Sequence, residues 1–318
     1  MDEITFADRP PEPDYATLTP EGLIAFREAE NRVRASAAAR VVLGRPDPEA
    51  TIAWREVALP GRDLPVRVHR PQGAERGGAL PLVLHVHGGG FVGTATQCDW
   101  VTSHVAARLP SVVVSVEHRL IDPDTPLSAA VDDGWDVLRH VVRNAGEWGV
   151  DPTRVAVFGE SCGGLVNALV ALRAREAGAA LRAQVLVNPA VDVTEAMFDH
   201  ASIAEYGHAP GAAEPLLRYF RRLAVPPGTD ASEVRALSPL HADDLSGLAP
   251  ALVVVPTHDA LADHGRRYAE RLRGAGTPAR LTEYPGAPHG FLSMPGLEEQ
   301  AHPARTEILD FLRASLAD

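Results

Sequence analysis

Residues 155–164 read V-A-V-F-G-E-S-C-G-G. Val155 to Phe158 suit a β-strand, Gly159 and Gly163 stand two residues either side of Ser161, and a helical pattern follows from Leu165. A serine framed in this way between strand and helix marks a sharp, strained turn that lifts its hydroxyl clear of the sheet. No other serine of the chain has this frame. A serine hydroxyl is a weak nucleophile near neutral pH. It needs a base to take its proton, a group to orient the base, and N–H donors for the oxyanion formed when it attacks a carbonyl. A short glycine-rich pattern also marks plain tight turns, so the partners decide the matter.

In a parallel sheet such partners meet beyond the carboxyl ends of the strands. The apolar run Leu252–Val255 is followed by Pro256-Thr257-His258-Asp259, and the run Ala279–Tyr284 by Pro285-Gly286-Ala287-Pro288-His289-Gly290-Phe291. His289 is therefore the candidate base and Asp259 the group that fixes its tautomer. Asp263 is the alternative carboxylate, but it lies further from the strand end. His258 and His264 read as solvated neighbours, and His302 as a surface histidine. Donors for the oxyanion can come from His87-Gly88-Gly89-Gly90, where three glycines leave backbone N–H groups unobstructed. The N–H of Cys162, directly after the nucleophile, completes the set. Its thiol reads as a small buried side chain. No Gly-Lys-Ser/Thr follows the glycines, so a phosphate cradle does not fit. His85 and His87 share a strand face, yet no His-x-x-x-His or cysteine cluster supports a metal site.

These groups need a scaffold. The chain has 318 residues, 45% of them hydrophobic, enough for one large core. Trp54–Leu59 and Leu64–His69 alternate and are joined by Pro60-Gly61-Arg62-Asp63, which predicts a hairpin. Leu82–Val86, Val112–Val116, Val155–Phe158, Ala183–Val187, Leu252–Val255 and Ala279–Tyr284 read as buried strands. Helical stretches lie between them at Trp100–Arg108, Ala129–Asn144, Leu165–Ala177, Asp263–Gly274 and Pro303–Leu316. Apolar strands alternating with helices predict an α/β protein with a mainly parallel sheet covered on both faces. Two stretches fall outside this alternation. Met1–Leu18 reads as a loose lead-in; Thr19-Pro20 then caps a helical segment, one or two helices ending near Gly44, with Leu23, Ile24, Phe26, Val33, Val41, Val42 and Leu43 as its apolar stripe. Val193–Val234 has mixed character and leaves the sheet.

The net charge of −12 argues against nucleic acid and anionic membranes as partners. No apolar run is long enough to span a bilayer, the start is acidic rather than signal-like, and two cysteines cannot build a disulfide framework. A cytoplasmic setting follows as the expectation.

With H-G-G-G-F (87–91), G-E-S-C-G-G (159–164), S-P-L-H-A-D-D-L (238–245), D-A-L-A-D (259–263) and H-G-F (289–291) in this order, the chain from about Trp54 to its end resembles the hormone-sensitive-lipase family of α/β-hydrolases, its bacterial esterases in particular. The resemblance implies the α/β-hydrolase fold with a helical cap. Residues 1–50 would form one cap segment, 193–235 the second, and 51–192 with 236–318 the catalytic domain. It implies a serine carboxylester hydrolase acting on short- to medium-chain acyl esters without a cofactor or metal. Ser161, Asp259 and His289 would be catalytic, and Gly89, Gly90 and Cys162 would form the oxyanion hole. His87, Gly88 and Glu160 would be supporting. The partner is a small-molecule ester, and the oligomeric state is left open, a homodimer included. The chain departs from the family in Glu160, where Asp is usual, in Cys162, where Ala is usual, and in His118-Arg119-Leu120-Ile121-Asp122-Pro123-Asp124, where Y-R-L-A-P-E-H is usual. Those departures keep specialised acyl chemistry open: an amidase, lactonase, acyltransferase or cyclase on the same triad. A non-catalytic ligand-binding relative is the other reading, and the presence of His289 speaks against it.

Overall fold

The computed structural model describes residues 9–73, 78–209 and 211–317. Strands β1 (Ala50–Leu59) and β2 (Arg62–Pro71) pair antiparallel with Leu59 opposite Arg62, so the hairpin turn is only Pro60-Gly61. Both strands extend beyond the alternating runs because cross-strand hydrogen bonds continue through the polar ends. Six further strands follow: β3 (Leu80–Val86), β4 (Val112–Val116), β5 (Val150–Glu160), β6 (Ala183–Val187), β7 (Ala251–His258) and β8 (Ala279–Pro288). The sheet order is β1-β2-β4-β3-β5-β6-β7-β8, with β2 antiparallel to β4 and every pair from β4 to β8 parallel.

The helices are α1 (Pro20–Arg34), α2 (Arg40–Leu43), α3 (Asp99–Arg108), α4 (Leu127–Arg143), α5 (Ala145–Trp148), α6 (Cys162–Glu176), α7 (Ala201–Tyr206), α8 (Glu214–Ala224), α9 (Ala231–Ala236), α10 (Ala262–Gly274) and α11 (Ala301–Leu316). Alternation along each strand divides the core between two layers. Leu82, Leu84, Val86, Val155 and Val157 pack with Val137 and Val141 of α4 and with Val166 and Val170 of α6. Val83, Val113, Phe158, Val187 and Val254 pack on the opposite side with Val101 and Val105 of α3 and Ile308 and Leu312 of α11. Further along, Leu186, Val253 and Val255 meet Tyr268 and Leu272 of α10. Central strands covered on both sides must be apolar throughout, which is why they read as continuous runs.

The N-terminal stretch is more ordered than its composition suggests. Residues 1–8 of the expected lead-in lie outside the described residues, but Tyr15 is buried, with its ring 6.1 Å from Phe91 and 5.6 Å from Tyr219. Proline and acidic residues hide an aromatic anchor there. The Thr19 hydroxyl accepts from the Gly22 N–H, and Pro20 is the first residue of α1, as the cap predicts. Leu23, Val33, Val42 and Leu43 are buried, whereas Ile24 and Val41 are exposed and so fall outside the expected stripe.

Candidate active site

Ser161 sits between β5 and α6 at φ 54° and ψ −117°, a left-handed conformation that costs a non-glycine residue about 1–3 kcal/mol. The surroundings hold it there. Its N–H donates to Val187 O at 2.9 Å, and its carbonyl accepts from Leu165 N at 3.1 Å and Ala190 N at 3.2 Å. The turn also needs α6 to press on the end of β3. A side chain at Gly163 would place its Cβ 2.1 Å from Val86 O, so only glycine fits.

The ends of β7 and β8 bring the partners. His289 Nε2 lies 2.9 Å from Ser161 Oγ, and its Nδ1 lies 2.8 Å from Asp259 Oδ2. Asp259 is fully buried and uses its other oxygen to accept from Leu261 N at 2.8 Å, which fixes the carboxylate in its own turn. With a carboxylate on Nδ1, the proton belongs on that nitrogen and Nε2 is free to accept from the serine hydroxyl. Burial acts to lower the His289 pKa, but the charge and hydrogen bond of Asp259, joined by the charge of Glu160, outweigh it and raise the ring above its ordinary value.

Asp263 is engaged elsewhere, accepting from Ser202 N at 3.0 Å and from Arg266 at 3.0 Å. His258 stacks on Tyr206 at 5.2 Å, and His302 meets Trp100 edge-on at 5.2 Å. His264 corrects the expectation of a solvated neighbour: it is fully buried and packs edge-on against His200 at 4.9 Å. Its place against the His200 ring, on an element far away in the chain, is not legible from its sequence neighbourhood.

The glycine loop after β3 lies directly over the nucleophile. A Cβ at Gly88 would be 3.5 Å from that of Ser161. Gly89 has φ +89°, and a Cβ there would stand 1.8 Å from Val92 O. Among the described residues, the N–H groups of Gly89 and Gly90 have no protein acceptor. Cys162 opens α6, where the first N–H groups have no intrahelical acceptor. The Cys162 thiol is buried and burial pushes its pKa up to about 12, which keeps it out of nucleophilic chemistry.

His87 anchors the start of this loop. Its Nδ1 is 2.9 Å from Gly88 O, and its ring stacks on His118 at 4.3 Å. His85 faces Ser115 at 2.7 Å instead, so the two rings have separate partners. Glu160 is buried beside the nucleophile, and burial pushes its carboxyl pKa up, against the pull of Ser293 and His289. Ser293 Oγ donates to its Oε2 at 2.5 Å, while Oε1 has no hydrogen-bond partner among the described residues.

Ser161 and His289 open into a cavity of about 600 Å³, walled by Tyr15, Phe91, Leu216, Leu217 and Phe220. Thus residues after β3, β5, β7 and β8 make the floor, and residues 9–18 and α8 supply much of the wall. Sequence reasoning missed Tyr15 and Ser293. Nothing in their local patterns marks them, because each is placed by contacts with residues remote in the chain, Tyr15 by Phe91 and Tyr219 and Ser293 by Glu160.

A model of the family with the α/β-hydrolase fold matches residues 83–293. Carboxylesterase NlhH of Mycobacterium tuberculosis is 36% identical over 302 residues, covering 92% of this chain and 92% of that protein. Ethyl acetate hydrolase of Pseudomonas putida is 31% identical over 298 residues, again 92% of each. Among solved structures, an ester hydrolase from the metagenome of Lake Arreo, complexed with a derivative of bipyridine phosphonate, is 32% identical, with a TM-score of 0.85 over 97% of this chain and 94% of that one.

Proposed function

The chain belongs to the hormone-sensitive-lipase family of α/β-hydrolases, and from that premise we propose that it is a serine hydrolase that cleaves short- to medium-chain carboxylic esters through an acyl-enzyme. The observation that carries this reading is the continuous line from Asp259 to His289 to Ser161, at 2.8 and 2.9 Å, ending on a strained serine. Ser161 Oγ attacks the ester carbonyl as His289 Nε2 takes its proton. The oxyanion is held by the N–H groups of Gly89, Gly90 and Cys162, groups already in place before charge develops. Collapse breaks the bond to the alcohol oxygen, which leaves with the proton from His289. Water activated by the same nitrogen then attacks the acyl carbonyl and frees Ser161.

Nucleophile, base and oxyanion donors are all groups of the chain itself, so the cycle calls for no cofactor. We read residues 1–50 and 193–235 as a two-part cap, because Tyr15, Leu216, Leu217 and Phe220 close the cavity over the strand ends. The apolar wall suits an acyl chain. No helix among the described residues is long and apolar enough to cross a membrane. The two buried, unpaired thiols of Cys98 and Cys162 suit a reducing compartment, and we place the enzyme in the cytoplasm on that ground.

The test is hydrolysis of p-nitrophenyl butyrate by the wild type and by Ser161→Ala. The variant is expected to lose roughly a million-fold in turnover with its circular dichroism spectrum intact. Turnover by the variant at the wild-type rate would overturn the assignment.

A further inference from the structure

The oxyanion loop, residues 88–93, has no regular secondary structure, and Gly89 and Gly93 hold φ of +89° and +127°. A glycine-rich segment has wide conformational freedom in isolation, so something must hold its N–H groups in one direction. We propose that α1 is a brace for this loop, with Arg27, Asn31 and Arg34 as positioning residues for the oxyanion donors. The proposal rests on the serine-hydrolase reading and assigns α1 a part in the chemistry beyond covering the cavity.

The three side chains are spaced four and three residues apart, and therefore share one face of the helix. Asn31 holds Gly93 at two points: its Oδ1 accepts from Gly93 N at 2.8 Å and its Nδ2 donates to Gly93 O at 3.2 Å. Arg27 donates from Nε to Phe91 O and from Nη2 to Ile121 O, both at 2.7 Å. Ile121 N in turn donates to Gly90 O at 2.8 Å, so one guanidinium ties two neighbouring carbonyls of the loop, one directly and one through Ile121. Asp122, 3.5 Å from Arg27, helps to orient the guanidinium. Arg34 donates to Gln97 Oε1 at 2.8 Å, and Gln97 Nε2 reaches Gly88 O at 3.3 Å. Buried Glu30 holds Arg34 from the preceding turn at 2.8 Å.

The carbonyls of Gly88, Gly90, Phe91 and Gly93 are thus all tied, directly or through one intermediary, to a single helical face. Fixing the carbonyl of Gly88 sets the plane of the peptide whose N–H belongs to Gly89, because the peptide unit is rigid. A helix that only covered the cavity would need apolar contacts there. It would not need an arginine and an asparagine aimed at main-chain atoms, with a second arginine holding Gln97 against Gly88 O.

The experiment compares wild type with Asn31→Leu, and with Asn31→Asp, which keeps the shape and loses the donor. Steady-state kinetics on p-nitrophenyl butyrate are measured alongside the affinity for an alkyl trifluoromethyl ketone, which forms an oxyanion on the serine, and for its non-electrophilic methyl ether analogue. A brace predicts a fall in kcat of roughly ten- to a hundredfold with KM changed less than about twofold. The ketone should weaken in step with kcat/KM and the ether should be unaffected. Unchanged kcat, or a loss confined to KM and shared equally by ketone and ether, overturns the brace. If Asn31→Leu does not fold, Asn31→Asp decides on the same readings. An inactive wild type that also fails to bind the ketone would defeat the hydrolase reading itself, a result distinct from normal variants of an active enzyme.

Discussion

At Ser161 the backbone cost of φ 54° is offset by hydrogen bonds on both sides of the residue, and the hydroxyl is aimed at His289 before any substrate arrives. His289 is then tuned by two carboxylates. Burial lowers its pKa, while Asp259 through charge and hydrogen bond, and Glu160 through charge, raise it above the ordinary histidine value. A base works only when neutral, so activity rises with pH through that raised pKa. Glu160→Gln removes one of the two charges that favour the imidazolium and leaves the hydrogen bond to Asp259. The acidic limb of kcat/KM against pH is therefore expected to move to lower pH. No movement, or movement to higher pH, would show that Glu160 does not act on the base.

At the scale of elements, legibility followed how local the determining forces are. Val112–Val116 was readable residue for residue because a strand buried on both faces must be apolar throughout. Ser161, Asp259 and His289 were readable because a parallel sheet sends its catalytic candidates to strand ends, and each stands just after an apolar run. Nearness to the strand end favours Asp259 over Asp263, and the geometry brings Asp259 to the histidine. What could not be read is whatever depends on remote packing. Tyr15 stands among prolines and acids that suggest a loose segment, and packing against Phe91 and Tyr219 makes it a core residue. The unusual stretch after Glu117 proved structural: His118 stacks on His87, Arg119 pairs with buried Asp133 at 2.8 Å, and Ile121 takes the carbonyl of Gly90. The three α1 side chains that reach the oxyanion loop are polar residues of an exposed-looking helix, and their targets lie about 60 to 90 residues further on.

Over the whole molecule, burial of histidine links stability to pH. His87, His118 and His264 are fully buried, and burial first of all pushes each of them down to about 4. In the unfolded chain they return to about 6.5, so between these values the unfolded state binds protons that the folded state does not. Their contribution is present in full above about pH 6.5 and is lost as pH falls towards 4. His69, His85, His104 and His200 are lowered as well and act in the same sense. His289, Glu117 and Glu160 are raised and act in the opposite sense, but are outnumbered. The melting temperature is expected to be level above about pH 7 and to fall by on the order of 10 °C by about pH 5. A level melting temperature down to pH 5 would mean that these rings are not neutral in the folded protein. The central claim, a single activated serine that forms the acyl-enzyme, is tested most directly by intact mass. Wild type and Ser161→Ala are treated with an alkyl fluorophosphonate and weighed. One phosphonyl adduct on the wild type, with loss of ester hydrolysis, and none on the variant is the expected result. A wild type that stays unmodified while folded, or a variant that takes up the same adduct, would contradict it.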